Sequence, residues 1–330
     1  MDVKRENAMK DSISRVQLNN TKKFLIIKPK YGLCNQLLSI SKGIILGLIT
    51  KRDIIFNSFQ LDYRNINNVC EFHKIIDIDD LQEKLNIINI NIKVYSSIDI
   101  NGIKMQTFTN DDISYIKDLI PMFSYECNMQ EKHLDVDNPI SATLPSEYDE
   151  LYKYINLNIK FTDKYINIAN NIKTSLKLSN YTCIHLRLED DSINFMKEQN
   201  KKIDLTVIND IYKNKYLTEL DYIKNLNIDN HIIYICTSLG IDHNLNNDFY
   251  NEIKKKYNLV DKNDFIDFSN TDNDESCREL YGIIDYIIAK GSIYFIGSDW
   301  SSYSIYLYTN HKHDNKATKL IDIWETVINL

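Results

Sequence analysis

His185, Arg187 and Glu189 are spaced two apart in the run His185-Leu-Arg-Leu-Glu-Asp-Asp191. Where such a run ends a strand, alternation puts these three polar side chains on one face and Leu186 and Leu188 on the other. Arg187 then offers a planar fork of donors that fits a diphosphate, with Glu189, Asp190 and Asp191 beside it. An Arg–Glu or Arg–Asp ion pair that only fixes a loop uses the same residues, and the run alone weighs the two readings evenly. His185 taken singly reads more readily as a packed strand histidine than as a base.

A second polar cluster, Gly297-Ser-Asp-Trp-Ser-Ser-Tyr-Ser304, follows an apolar segment and opens a helical one. Ser298, Ser301 and Ser302 place hydroxyls beside the unbonded N–H groups of a helix start, which suits a phosphate. Asp299 is a candidate to accept hydrogen bonds from a nucleobase edge or a ribose. An ordinary capping serine accounts for one of these residues and leaves the density of the cluster unexplained. A third place, Tyr31-Gly-Leu-Cys-Asn-Gln36, joins a strand to a helix. Gly32 there lets a ligand approach the backbone, and Asn35 either caps the helix or turns its amide toward a ligand. Alone this loop reads as turn chemistry. Thr237 and Ser238 end another apolar run and are lesser candidates, while Arg278 and Glu279 read as a surface ion pair.

The elements that carry these clusters follow from the apolar pattern. Residues 24–28, 53–57, 181–186, 231–236 and 292–297 are short apolar runs that read as buried strands. Helical spacing occupies 35–49, 165–176, 209–225, 248–257 and 279–289, with a shorter helix around 79–85. Gly43 and Gly47 lie one turn apart on the first helix, which permits close packing against a neighbour. Gly291 stops the helix before the second cluster. Strand and helix alternate, as in doubly wound parallel sheets. Residues 90–145 mix short strands with loops that the pattern does not order.

The 330 residues fit two domains of roughly 150 each. The expected division is a leader without fixed structure over 1–20, a Rossmann-like domain over 21–160 and a second over 161–330 that binds the donor, with the last helix a candidate to cross back. The expected fold class is therefore α/β, two Rossmann-like domains facing a central cleft. The net charge of −7 and pI near 5.6 give no basic footprint for nucleic acid. No apolar run approaches a membrane span, and residues 1–20 lack the apolar segment of a secretory signal, so the expectation is a cytoplasmic, reducing location. The six cysteines, Cys34, Cys70, Cys127, Cys183, Cys236 and Cys277, form no zinc spacing. Asp-x-Asp triplets at Asp77–Asp79, Asp135–Asp137 and Asp272–Asp274 read as surface or capping carboxylates, so no metal is expected.

Taken in order, Gly32-Leu-Cys-Asn35, His185-Leu-Arg-Leu-Glu-Asp-Asp191 and Phe295-Ile-Gly-Ser-Asp-Trp-Ser-Ser-Tyr-Ser304 resemble the motifs of the GT-B fucosyltransferase superfamily. That superfamily includes protein O-fucosyltransferases and the α1,6- and α1,2-fucosyltransferases, and the resemblance spans about residues 24–310. It implies an inverting, metal-independent transferase with a GDP-sugar donor, commonly GDP-fucose, a glycan or protein acceptor, and no cofactor. The resemblance puts Arg187 on the β-phosphate, Ser301 and Ser302 on the phosphates, His185 and a neighbouring carboxylate near guanine or ribose, and Asn35 near sugar and acceptor. An acceptor base would come from Glu189, Asp190 or Asp191, or the reaction would be dissociative and lean on Arg187. A GT-B enzyme with another nucleotide-sugar and an inactive nucleotide-sugar- or glycan-binding module are the alternatives.

Overall fold

The computed structural model describes residues 15–17, 24–62, 65, 67–99, 105–108, 133–136, 144–177, 179–225, 232–239, 244–265 and 278–329. The chain divides into two compact units, Met1–Asp163 and Lys164–Leu330. The first contains β1 (Arg15–Gln17), β2 (Phe24–Ile27), α1 (Leu33–Thr50), β3 (Asp53–Phe56), β4 (Phe59–Gln60), β5 (Val69–Cys70), α2 (Ile78–Ile87), β6 (Val94–Tyr95), β7 (Ser97–Asp99), β8 (Met105–Phe108), β9 (His133–Val136) and α3 (Asp149–Asn158). Five of these strands form a parallel sheet in the order β6-β3-β2-β9-β8. Every residue of β2 is buried, as a strand covered on both faces requires. Arg15–Gln17, inside the stretch expected as an unstructured leader, is a strand paired in parallel with β7. The rest of residues 1–20 lies outside the described residues.

Helix α1 lies close against this sheet because two of its residues lack side chains. A Cβ on Gly43 would sit 3.0 Å from Ile27 Cγ1, and one on Gly47 would sit 2.6 Å from Ile54 Cδ1. The 18 residues of α1 have a mean hydropathy of 1.4, long and apolar enough by length and composition to cross a membrane. This corrects the expectation that no apolar run reaches that length: Ser39, Ser41 and Lys42 interrupt the run without lowering its mean far. In the fold, 72% of that helix is buried, and the buried Ser41 hydroxyl donates to Asn156 Oδ1 of α3 at 2.7 Å.

The second unit runs α4 (Asp163–Ser175, whose first residue closes the first unit), β10 (Tyr181–His185), α5 (Asp190–Gln199), α6 (Leu205–Asn225), β11 (Ile232–Cys236), α7 (Asn247–Tyr257), α8 (Arg278–Lys290), β12 (Tyr294–Ser298), α9 (Ser302–His313), β13 (Ala317–Ile321) and α10 (Trp324–Ile328). Its sheet is parallel throughout, in the order β11-β10-β12-β13. The chain goes from β10 outward to β11, then returns to the other side of β10 for β12 and β13. The direction of winding reverses between β10 and β12, where open α/β sheets leave a crevice at the carboxyl ends. Helices α3, α5 and α10 and strand β13 are additions to the pattern read from the sequence. β13 is an edge strand with an alternating exposed face, and α10 spans only five residues.

Substituting Ala for Gly47 is expected to destabilise the first unit by about 1–3 kcal/mol through overpacking against Ile54. Gly32→Ala, whose Cβ meets nothing within 4 Å, is expected to cost under about 1 kcal/mol. Scanning calorimetry of the two variants checks the contrast, and equal melting shifts would contradict the packing account.

Candidate active site

The carboxyl ends of β10 and β12 are joined by one short relay. His185, the last residue of β10, has Nδ1 2.7 Å from Ser304 Oγ. That hydroxyl oxygen also accepts the Ser298 N–H at 2.9 Å, so one serine side chain meets both strand ends. The close approach depends on Gly297, because a Cβ there would lie 2.5 Å from Ser304 Cβ and Oγ. His185 also packs against the Tyr303 ring, with centroids 4.6 Å apart. Burial pushes its pKa down to about 3, and Arg187, Arg278 and Lys262 push the same way against the opposing pull of Glu189. The histidine is a neutral, packed residue and not a base poised near neutrality.

Arg187 lies two residues past the end of β10, in a loop held from several sides. Tyr216 of α6 donates its hydroxyl to His185 O at 2.9 Å and accepts the Arg187 N–H at 3.0 Å. Ser192 Oγ donates to Arg187 O at 3.2 Å. The guanidinium, 17% exposed, gives Nη1 to Glu189 Oε2 at 3.0 Å and Nη2 to Asp191 Oδ2 at 2.7 Å. It also lies 5.9 Å from the Trp300 ring centroid. The other oxygen of Glu189, Oε1, accepts from both the backbone N–H and the hydroxyl of Ser238. Burial alone would raise the Glu189 pKa, but Arg187 and Arg278 hold it at about 2. The alternation read from the sequence survives past the strand: Leu186 and Leu188 are buried in the core while Arg187 and Glu189 meet on the other side.

The serine cluster behaves as a helix start. Ser301 is the N-cap of α9 and its side chain makes no capping hydrogen bond. Ser302 and Ser304 occupy the first turn, where backbone N–H groups precede any intrahelical acceptor. The buried Ser298 Oγ has no hydrogen-bond partner. Asp299, expected at a nucleobase or ribose, bonds here to backbone. Its Oδ1 accepts from the backbone N–H groups of Ile323 and Trp324 at 3.2 and 3.1 Å, which ties the loop to the start of α10. Asp190 Oδ1 accepts the Leu245 N–H at 3.2 Å.

In the first unit, the Tyr31–Gln36 loop leaves the carboxyl end of β2, which the reversal between β2 and β9 flanks. The N-cap is Gly32, so Asn35 is not the cap; its side chain is half-buried in the first turn of α1. Gln36 fixes the loop by donating Nε2 to Tyr31 O and Gln60 O and accepting the Gln60 N–H. Tyr31 takes a left-handed φ of 73°, and open space lies beyond Gly32.

Sequence reading missed Tyr216, held Ser238 only as a lesser candidate and took Arg278 for half of a surface ion pair. The hydroxyl of a helical tyrosine carries no local signal. Arg278 is no surface residue: it is 16% exposed, with Nη2 3.8 Å from Asp191 Oδ1. Asp77 caps α2 and pairs with Lys160, as its reading as a capping carboxylate requires. Asp137 and the triplet Asp272–Asp274 lie outside the described residues, among which no cluster of three or more His, Cys, Asp or Glu could hold a metal ion.

This chain resembles solved structures of fucosyltransferases. POFUT1 in complex with GDP-fucose matches with a TM-score of 0.60 and 12% identity, covering 91% of this chain and 98% of that one. NodZ alpha-1,6-fucosyltransferase soaked with GDP-fucose matches at 0.52 and 12%, covering 88% and 92%. NodZ from Bradyrhizobium gives the same score and identity over 87% and 92%. An uncharacterized protein of Plasmodium falciparum is 31% identical over 123 residues, 33% of this chain but only 11% of that protein. The structural likeness gives this chain the GT-B glycosyltransferase fold. Residues 54–313 match the GDP-fucose protein O-fucosyltransferase family, and the chain belongs to that family of glycosyltransferases. The match contains His185–Asp191 and Gly297–Ser304 and begins beyond the Tyr31–Gln36 loop.

A pH test follows from the relay. The folded pKa of His185 is depressed from 6.5 to about 3, so its contribution to stability is present above 6.5 and drains away as the pH falls toward 3. The loss is expected to reach about 2 kcal/mol near pH 5. Denaturation of wild type and His185→Gln at neutral and mildly acidic pH measures it. Identical pH slopes would show that the histidine is not neutral in the fold.

Proposed function

We propose that the protein transfers fucose from GDP-fucose to a hydroxyl of a glycan or protein, with inversion and without a metal or cofactor. The observation that carries this reading is the meeting of Arg187 with the start of α9 beside the sheet reversal. Arg187 reaches the Trp300 ring from the end of β10, and Ser301 and Ser302 open the helix that follows β12. Together they provide a guanidinium fork, two hydroxyls and helix-start N–H groups for a diphosphate. Family membership and the solved complexes of POFUT1 and NodZ with GDP-fucose support the choice of donor.

In the transfer, the bond between the anomeric carbon and the β-phosphate oxygen breaks with its electron pair going to the diphosphate, and the acceptor oxygen attacks from the opposite face and loses its proton to solvent water. Arg187 stabilises the negative charge that builds on the departing diphosphate. Glu189 is a poor acceptor base: it is buried, bonded through both oxygens and held at about 2. Its role is to aim Arg187. Asp190 is committed to the Leu245 backbone and Asp191 to Arg187, so the reading favours a dissociative transfer driven by the leaving group. The second unit is the donor side, and the first, with Gly32 and Asn35 at the end of β2, is the acceptor side. Cys183 and Cys236, which sit on adjacent strands as thiols, suit a reducing, cytoplasmic location.

Titration calorimetry with GDP in EDTA, with UDP as the control, tests the reading. Selective GDP binding that Arg187→Ala weakens by roughly tenfold to hundredfold, with transfer lost, is the expected result. Equal binding of UDP, or an Arg187→Ala protein that transfers normally, would overturn it.

A further inference from the structure

Arg278 enters the donor site from an element that none of the sequence clusters includes. It is the first residue of α8, yet its side chain is as buried as that of Arg187, 16% against 17% exposed. Both guanidinium groups face one carboxylate. Asp191 receives Arg187 Nη2 at 2.7 Å on Oδ2 and Arg187 Nη1 at 3.3 Å on Oδ1, and Arg278 Nη2 lies 3.8 Å from the same Oδ1. The field of Arg278 also reaches the buried Glu189 and His185 at the end of β10. Lys262 is buried in the same unit but is committed elsewhere, with Nζ bonded to Asp285 Oδ2 and Thr237 O. A diphosphate brings more negative charge than one guanidinium offsets, and a site working without a divalent cation must supply the balance from its own side chains.

We propose that Arg278 is the second diphosphate-binding cation of the donor site, with Asp191 the resident anion that holds both arginine forks until the nucleotide replaces it. This rests on the donor reading given above and extends it to a residue on a separate helix. The carboxylate is suited to displacement, being 34% exposed where that of Glu189 is 6% exposed. When a phosphate takes its place, the guanidinium groups exchange one anion for another and neither is left buried without a counter-charge.

The test is calorimetry of the full chain with GDP and GMP in EDTA, for wild type, Arg278→Gln, Arg278→Lys and Asp191→Asn. Arg278→Gln is expected to weaken GDP by roughly tenfold to hundredfold and GMP by much less, because the lost contact is to the second phosphate. Arg278→Lys, which keeps the charge and loses the fork, should fall between, and it carries the test if the Gln variant fails to fold. Asp191→Asn should bind GDP several-fold more tightly than wild type, since a competing anion is gone. An unchanged GDP affinity in Arg278→Gln would overturn the proposal. So would an equal loss for GDP and GMP, which would mark Arg278 as a structural support. Weaker GDP binding in Asp191→Asn would overturn the role of Asp191 as a placeholder. If wild type binds GDP and these patterns fail, the donor reading stands and this extension falls; if wild type binds no GDP, both fall.

Discussion

A guanidinium mostly withdrawn from water at the end of a buried strand must be countercharged, and the architecture around Arg187 answers that requirement. Its two carboxylate partners come from the loop and first turn that follow it, at positions 189 and 191, so the countercharge is local and survives any rearrangement of distant parts. Holding that short loop in place takes contributions from farther away. Tyr216 of α6 bridges His185 O and Arg187 N, Ser192 of α5 bonds Arg187 O, and Ser238 beyond β11 bonds Glu189. An unmade hydrogen bond among these buried groups would cost on the order of 1–3 kcal/mol, so each of these contacts helps hold the loop. The core of the second unit, with Tyr212, Tyr216 and Leu220 of α6 fully buried, is in this sense the scaffold of one charge.

The reversal of winding between β10 and β12 determines where that charge sits. Strands on the two sides of the reversal send their following helices to opposite faces, so no helix covers the space above their ends. His185 and Ser298 terminate the two strands, and Ser304 ties one to the other through a single hydroxyl. Gly297 is the residue that makes the tie possible, since any side chain there would occupy the position of Ser304. The helix start of α9 is thereby tied through one hydroxyl to His185, two residues before the arginine.

Much of this was legible in the chain before any coordinates. Buried parallel strands read as unbroken apolar runs, so 181–186 and 292–297 stood out, and polar clusters at their ends marked the site. The alternating pattern of 185, 187 and 189 proved informative past the point where strand hydrogen bonding stops. What stayed hidden depends on long-range packing. The bonds of Asp299 to the N–H groups of Ile323 and Trp324 were hidden because they lie at the start of a short helix with no strong signal of its own. Arg278 looks like a surface residue because only the fold brings α8 alongside Asp191. Asn35 looked like a helix cap because its side chain suits one, whereas the helix starts earlier, at Leu33, with Gly32 as the cap.

The two carboxylates on Arg187 differ in a way that assigns them different work. Glu189 is buried, bonded through both oxygens and held far below the ordinary carboxylate range, so removing it would strand a charge and no ligand could replace it cheaply. Asp191 reaches water, shares two arginines and can turn outward at little desolvation cost. On the proposed reading, a phosphate entering the site meets one anion that stays and one that yields. The buried one keeps the fork of Arg187 aimed; the more exposed one lies against both Arg187 and Arg278. The same division explains why a site so rich in acid residues offers no evident base. Glu189 and Asp191 are bonded to Arg187, and in the proposed transfer the weight of the chemistry falls on stabilising the departing diphosphate.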